Sequence, residues 1–170
     1  MEEEILEIVD NTGNTLGAAP RSEIHGNPAL IHKVVHVLVF NSSGELLLQK
    51  RSLSKDVAPG RWDTSVGGHL SAGESTVAGA IREMQEELGV IPEALDSLYS
   101  YIHCNPYETE LVYTHSCIHN GPFCFNTEEI DAVRFWGLDE IKAAMGSNVL
   151  SDNFESEIRT YLTRRMEKQV

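Results

Sequence analysis

Apolar residues in this chain fall into short runs divided by turn-forming residues, a rhythm that predicts many strands and few helices. Glu4–Asp10 and Thr15–Ala19 form two short extended segments around the turn Asn11-Thr12-Gly13-Asn14. Val34 to Phe40 is apolar except for His36, the pattern of a strand buried on both faces. The turn Asn41-Ser42-Ser43-Gly44 leads to a partner strand over Glu45–Gln49. Pro59-Gly60 then breaks the chain before a short extended piece from Trp62 to Val66. From Ser75 to Leu88 the period becomes helical, with Val77, Ala78, Ile81, Met84 and Leu88 on one face. Ser75 can cap the start of that helix and Gly89 its end. Further strands are expected over Leu98–Cys104, Leu111–His119 and Ala132–Trp136, the last two separated by Asn120-Gly121-Pro122. Two helices, Leu138–Met145 and Asp152–Lys168, complete the pattern. Strands interspersed with a few helices predict an α/β fold, a sheet covered on its faces by helices. With no repeat or long linker, all 170 residues read as one domain.

Composition narrows the function. Hydrophobic residues at 41% and charged residues at 23% suit a globular protein. No apolar run reaches the roughly 18 residues of a membrane span. Glu2, Glu3, Glu4 and Glu7 stand where a signal peptide would be basic. Cys104, Cys117 and Cys124 are odd in number and lack CxxC spacing, as expected of reduced thiols in the cytoplasm. The net charge of −13 disfavours nucleic-acid and membrane partners. A small anionic substrate fits only if cations and a few local basic groups reverse the sign inside its pocket.

The chemistry concentrates between Gly68 and Val90. At about 100° per residue, Glu83, Glu86 and Glu87 share one helix face, apart from the apolar set. Three crowded carboxylates cost helix stability unless something neutralises them. Arg82 can pair with Glu86 four residues on and with Glu74 from the preceding loop, but one guanidinium cannot balance four acids. A hard divalent cation can, and Mg²⁺ typically takes one or two carboxylates together with substrate phosphates. A charge run alone is ordinarily a solvated face. Seven fixed residues on one spaced template are another matter: at a usage of about 7% each, chance gives about one match in 10⁸ starts.

That template resembles the Nudix box, G-x5-E-x7-R-E-U-x-E-E-x-G-U, matched at every fixed position from Gly68 to Val90, with Met84 at the first aliphatic site. The resemblance implies a Nudix α/β/α sandwich with a mixed β-sheet, and hydrolysis of a diphosphate linked to a variable group X. It further implies that Glu83, Glu86 and Glu87 hold Mg²⁺, or Mn²⁺ in its place, with the Gly68 carbonyl. Arg82 and Glu74 would orient those ligands, and a carboxylate such as Glu83 would deprotonate the attacking water, family members differing in which carboxylate is that base.

From about Arg21 to Phe154 the chain also resembles the isopentenyl-diphosphate isomerase branch of that superfamily. There, residues matching His25, His32, His69, Glu108 and Glu110 form a divalent-metal site, and those matching Arg21, Arg51 and Lys55 clamp the diphosphate. The donor set is chemically sensible for Zn- or Mn-like ions, and Glu108-Thr109-Glu110 puts both carboxylates on one side of a strand. The resemblance stops at Val66-Gly67-Gly68-His69, where the isomerases read Val-Cys-Gly-His. Allylic proton shuffling needs a positioned acid and base across the substrate, so removing the thiol should remove most of it, while the carboxylates that the isomerases give up are all present. Hydrolysis of a small diphosphate substrate is therefore expected, against the alternatives of an isomerase or a ligand-sensing module without turnover. Trp62, Tyr101, Tyr107 and Phe154 are candidates to line the X-group pocket, although large aromatics are more often core. The amphipathic last helix is a candidate homodimer surface.

Overall fold

A computed structural model describes residues 2–169. Nine strands form one sheet around a central strand β3 (Ile31–Phe40). On one side of β3 lie β1 (Ile5–Val9) and β2 (Thr15–Pro20), an antiparallel hairpin whose first strand pairs with β3 at Ile8–His32. A four-residue helix, α1 (Arg21–Ile24), links the hairpin to β3, too short to leave a periodic signature in the sequence. The other strands are β4 (Leu46–Arg51), β5 (Trp62–Asp63), β6 (Val66–His69), β7 (Asp96–Cys104), β8 (Thr109–Ile118) and β9 (Ile130–Trp136). β8 runs parallel to β3 over all ten residues, whereas the other pairings are antiparallel, so the sheet is mixed.

Alternation along β3 builds two cores. Val35, Val37 and Val39 point toward α2 (Thr76–Leu88) and pack with Leu47, Val66, Ala80, Met84 and Leu88. Leu38 points the other way with Leu46 and Leu48, and meets Ile141 of α3 (Leu138–Ala144) and Phe154 and Ile158 of α4 (Asp152–Glu167). Helices thus cover both faces, giving the expected α/β/α sandwich with a mixed sheet. Both α2 and α4 are capped by a serine, Ser75 on Ala78 N and Ser151 on Phe154 N.

Two details of α2 differ from the periodic expectation. Val77 is 45% exposed and Ala78 also faces solvent, while Gly79 and Ala80 take the inner positions. The helix is rolled so that Glu83, only 9% exposed, faces the sheet beside Met84. Apolar periodicity alone misses this phase, because an acidic residue, Glu83, occupies part of the buried stripe.

The sheet is also split. β3 bonds to β4 only at Phe40–Leu46, then passes to β6 through Val34–Val37. The expected single extended piece after Gly60 is accordingly two strands, β5 on β4 and β6 on β3. A cleft of about 850 Å³ opens at this split.

Candidate functional site

Glu83, Glu87, Gly67, Gly68 and His69 line the cleft. Gly68 must lack a side chain: a Cβ there would lie 2.2–2.5 Å from the three carboxyl atoms of Glu83. Glu87 Oε2 accepts from Gln49 Nε2 of β4 (3.0 Å) and Gly67 N of β6 (3.3 Å), bridging the split. Glu86 is turned outward, its side chain 59% exposed.

Arg82 organises the acids. It meets Glu74 through Nε (2.8 Å) and Nη2 (3.0 Å), Glu83 through Nη1 (2.7 Å) and Glu86 through Nη1 (3.3 Å), and donates from Nη2 to the His69 carbonyl (3.0 Å). Glu74 and Glu86 were expected partners; Glu83 is an additional one. Glu87 has no cationic partner among the described residues. Burial pushes its carboxyl up to about 8, assisted by the charge of Glu83. Burial likewise raises Glu83, although Arg82 opposes the shift.

These shifts carry a stability consequence. A carboxyl with its folded pKa raised from 4.5 to about 8 destabilises the metal-free fold progressively as pH rises through that interval. Glu87→Gln therefore raises the melting temperature of metal-free protein at pH 8, but not at pH 4. Water reaching the carboxylate from the cleft limits the gain to about 1–2 kcal/mol, or roughly 2–8 °C. Calorimetric melts in chelator at both pH values check this.

The predicted histidine and glutamate set also converges. His25 follows α1, His32 lies on β3, His69 ends β6, and Glu108 and Glu110 flank the start of β8. Ligand atoms of His25, His32 and His69, and those of His32, Glu108 and Glu110, lie within 4.8 Å of one another. His25 Nε2 is 3.2 Å from His69 Nε2 and 3.6 Å from Glu108 Oε2, and His32 Nε2 is 3.8 Å from Glu110 Oε1. Both ring nitrogens of His32 and the Oε2 atoms of Glu108 and Glu110 are buried with no hydrogen-bond partner. Burial drives His32 and His69 down to about 3, which keeps both imidazoles neutral, and raises Glu110 to about 7. Neutral imidazoles and orphaned buried carboxyl oxygens suit a divalent cation.

Basic residues face these acids across the cleft. Arg21, Arg51 and Lys55 all line it, together with Arg61, which the sequence did not single out. Each is near an acid: Arg21 by Glu4 (3.7 Å), Arg51 by Asp63 (3.3 Å), Lys55 by Glu129 (3.5 Å) and Arg61 by Asp152 (3.6 Å). The aromatic candidates for an X-group pocket do not reach it. Trp62 packs on Trp136 (5.3 Å between ring centroids), Phe154 is fully buried in the α4 core, and Tyr101 donates to Glu157. Tyr107 is half exposed, with its ring edge-on to His25. Apolar packing claimed the first two, as the general tendency of aromatics dictates. His36, Gln49, Asp63 and Thr64 were likewise missed as cleft residues; only the polar interruption of an apolar strand at His36 offered a signal.

A family model described as the NUDIX domain matches residues 30–154, well over half the chain. The chain belongs to the Nudix family. Among its curated relatives, an uncharacterized Nudix hydrolase of Pseudomonas aeruginosa is 36% identical over 132 residues, which cover 78% of each chain. An isopentenyl-diphosphate Δ-isomerase of Streptomyces avermitilis is 42% identical over 91 residues, but these make up 54% of this chain and 46% of that one. A Deinococcus radiodurans crystal structure superposes with a TM-score of 0.80 at 23% identity, covering 92% of this chain and 98% of that one, a likeness of fold alone. The Nudix box thus lies in a Nudix fold, and among the described residues no helix is long and apolar enough to cross a membrane.

Proposed function

We propose that this Nudix enzyme is a Mg²⁺-dependent hydrolase that cleaves the diphosphate linkage of a small X-linked diphosphate. The observation that carries the reading is Glu87, a half-buried carboxylate at the cleft with no cationic partner among the described residues, set between Glu83 and the glycine pair Gly67-Gly68. Glu83, Glu86, Glu87 and the Gly68 carbonyl would hold the cation, an all-oxygen donor set suited to Mg²⁺ and tolerant of Mn²⁺. When bound, the ion polarises phosphoryl oxygens and lowers the pKa of a water. Glu83 accepts the proton of the attacking water, its carboxyl already raised by burial toward the range of a working base. Arg82 keeps Glu83 in place and ties it to Glu74. Arg21, Arg51 and Lys55 bind the substrate's diphosphate and supply the local positive charge that a chain of net charge −13 requires.

The histidine set would hold a second divalent ion. Changing His25, His32 and His69 together to Ala removes tightly bound Zn or Mn, measured by elemental analysis of purified protein; unchanged metal content rejects the site. The isomerase alternative fails on chemistry: Gly67 carries no thiol, and none of the three cysteines lines the cleft. With Mg²⁺, phosphate or pyrophosphate release is expected from at least one member of a panel of nucleotides, nucleotide sugars, dinucleoside polyphosphates and prenyl diphosphates. Double-bond migration without release would establish the isomerase, and tight binding without turnover the sensor.

A further inference from the structure

One wall of the cleft has no part in the hydrolytic chemistry. His36 lies on β3 opposite Gly67 of β6 and Thr114 of β8. Its Nδ1 donates to Glu157 Oε2 at 2.8 Å. Glu157, fully buried on α4, also accepts from Tyr101 Oη (2.8 Å), Thr114 Oγ1 (3.0 Å) and Tyr99 Oη (2.5 Å). Four donors on one carboxylate keep it ionised despite burial and fix the His36 ring in a single orientation. The free edge of that ring, Cδ2 and Nε2, lies over Gly67. A Cβ at position 67 would come within 3.2 Å of Cδ2 and 3.4 Å of Nε2, so glycine leaves this edge open to the cleft. Among the described residues Nε2 has no hydrogen-bond partner.

Thr64 repeats the theme. It lines the same cleft, is 3% exposed, and its Oγ1 lacks a partner. Beside it Asp63 Oδ1 accepts from Ser151 Oγ at 2.9 Å. Apolar side chains on the cleft wall are limited to Val34, Val57, Ala58, Pro59 and Pro106, and no Phe, Tyr or Trp lines it among the described residues. A hydrocarbon tail would find only these small apolar side chains, a flat base no aromatic ring to stack on, and either would leave His36 Nε2 and Thr64 Oγ1 unsatisfied.

The geometry points to a hydroxylated X group: this wall takes the sugar or polyol end of the substrate, with His36 Nε2 and Thr64 Oγ1 as hydrogen-bond partners for its hydroxyls. A hydroxyl both donates and accepts, so it suits Nε2 in either protonation state. The inference rests on the diphosphate reading of the same cleft and deepens it by naming the class of X. Sites built to bond a hydroxyl can reject analogues lacking it by factors of about 10⁴–10⁵.

Calorimetric binding, with Ca²⁺ in place of Mg²⁺ to limit turnover, tests it with ribose 5-diphosphate, glycerol 3-diphosphate, geranyl diphosphate and inorganic pyrophosphate. At least one hydroxylated ligand should bind about 100-fold more tightly than geranyl diphosphate, and more tightly than pyrophosphate. His36→Phe and Thr64→Val should each weaken that ligand about tenfold, leaving pyrophosphate affinity within about twofold. Thr64→Val and Glu157→Gln are near-isosteric and keep the test valid if His36→Phe does not fold. Equal or tighter geranyl diphosphate binding overturns the inference, as does a preference that survives the substitutions. Pyrophosphate binding unimproved by any X group overturns it while sparing the diphosphate grip; no binding by any ligand, pyrophosphate included, rejects both. A hydroxyl preference without Mg²⁺-dependent cleavage would uphold this wall and reject hydrolysis.

Discussion

Glu83→Gln is expected to lower kcat by roughly 10²–10⁴-fold, the range that a positioned general base contributes. The amide keeps the size of the side chain and an oxygen for Arg82 Nη1, which sits 2.7 Å from Glu83 Oε1, so the fold should survive. What disappears is the ability to take a proton and part of the negative charge offered to a cation. Product release at saturating substrate and Mg²⁺ gives the measurement, with a thermal melt to confirm folding. A rate near wild type would move the base role to another group, Glu87 being the nearest carboxylate with a raised pKa.

Gly68→Ala is expected to be as damaging without altering any ionisable group. The added methyl would stand 2.2–2.5 Å from the carboxyl atoms of Glu83, well inside van der Waals contact. Backbone on β6 cannot easily yield, since Gly68 pairs with Val35 in the middle of β3, so the carboxylate must leave its place. A loss of roughly 10²-fold or more in kcat follows if proton transfer requires Glu83 where it stands. The double variant Gly68→Ala, Glu83→Gln should then be no worse than the poorer single one, because both remove the same positioned group. Losses that multiply in the double variant would show that Gly68 acts by another route, such as its carbonyl.

The parts of the site legible in the sequence are those held by local spacing. Gly68, Glu74, Arg82, Glu83 and Glu87 fall within one strand end, the loop after it and one helix, and the turns of α2 set the mutual geometry of the last three. Even there the helix phase departs from the periodicity: Ala80 and Glu83 face inward in place of Val77 and Ala78, because a buried acid replaces an apolar residue on the inward stripe. The metal-type cluster was found through resemblance rather than spacing, since its members come from four separated segments between His25 and Glu110. His36 and Glu157 stand 121 positions apart, and nothing in either neighbourhood announces the other. Trp62 and Phe154 illustrate the converse: aromatic character suggested a pocket, but packing between the sheet and α4 absorbed both.

The bridge made by Glu87 also bears on how such a protein can change. Gln49 on β4 and Gly67 on β6 share its Oε2, although their strands do not otherwise bond to each other. One oxygen therefore doubles as a masonry tie between two halves of the architecture. A descendant that abandoned turnover could shed Glu86, which leans into solvent, at little structural expense. Shedding Glu87 would leave the gap to Ser65, which accepts from Gln49 Nε2 and Val39 N and donates to the Leu47 carbonyl, so the frame makes Glu87 the costlier of the two acids to lose during divergence.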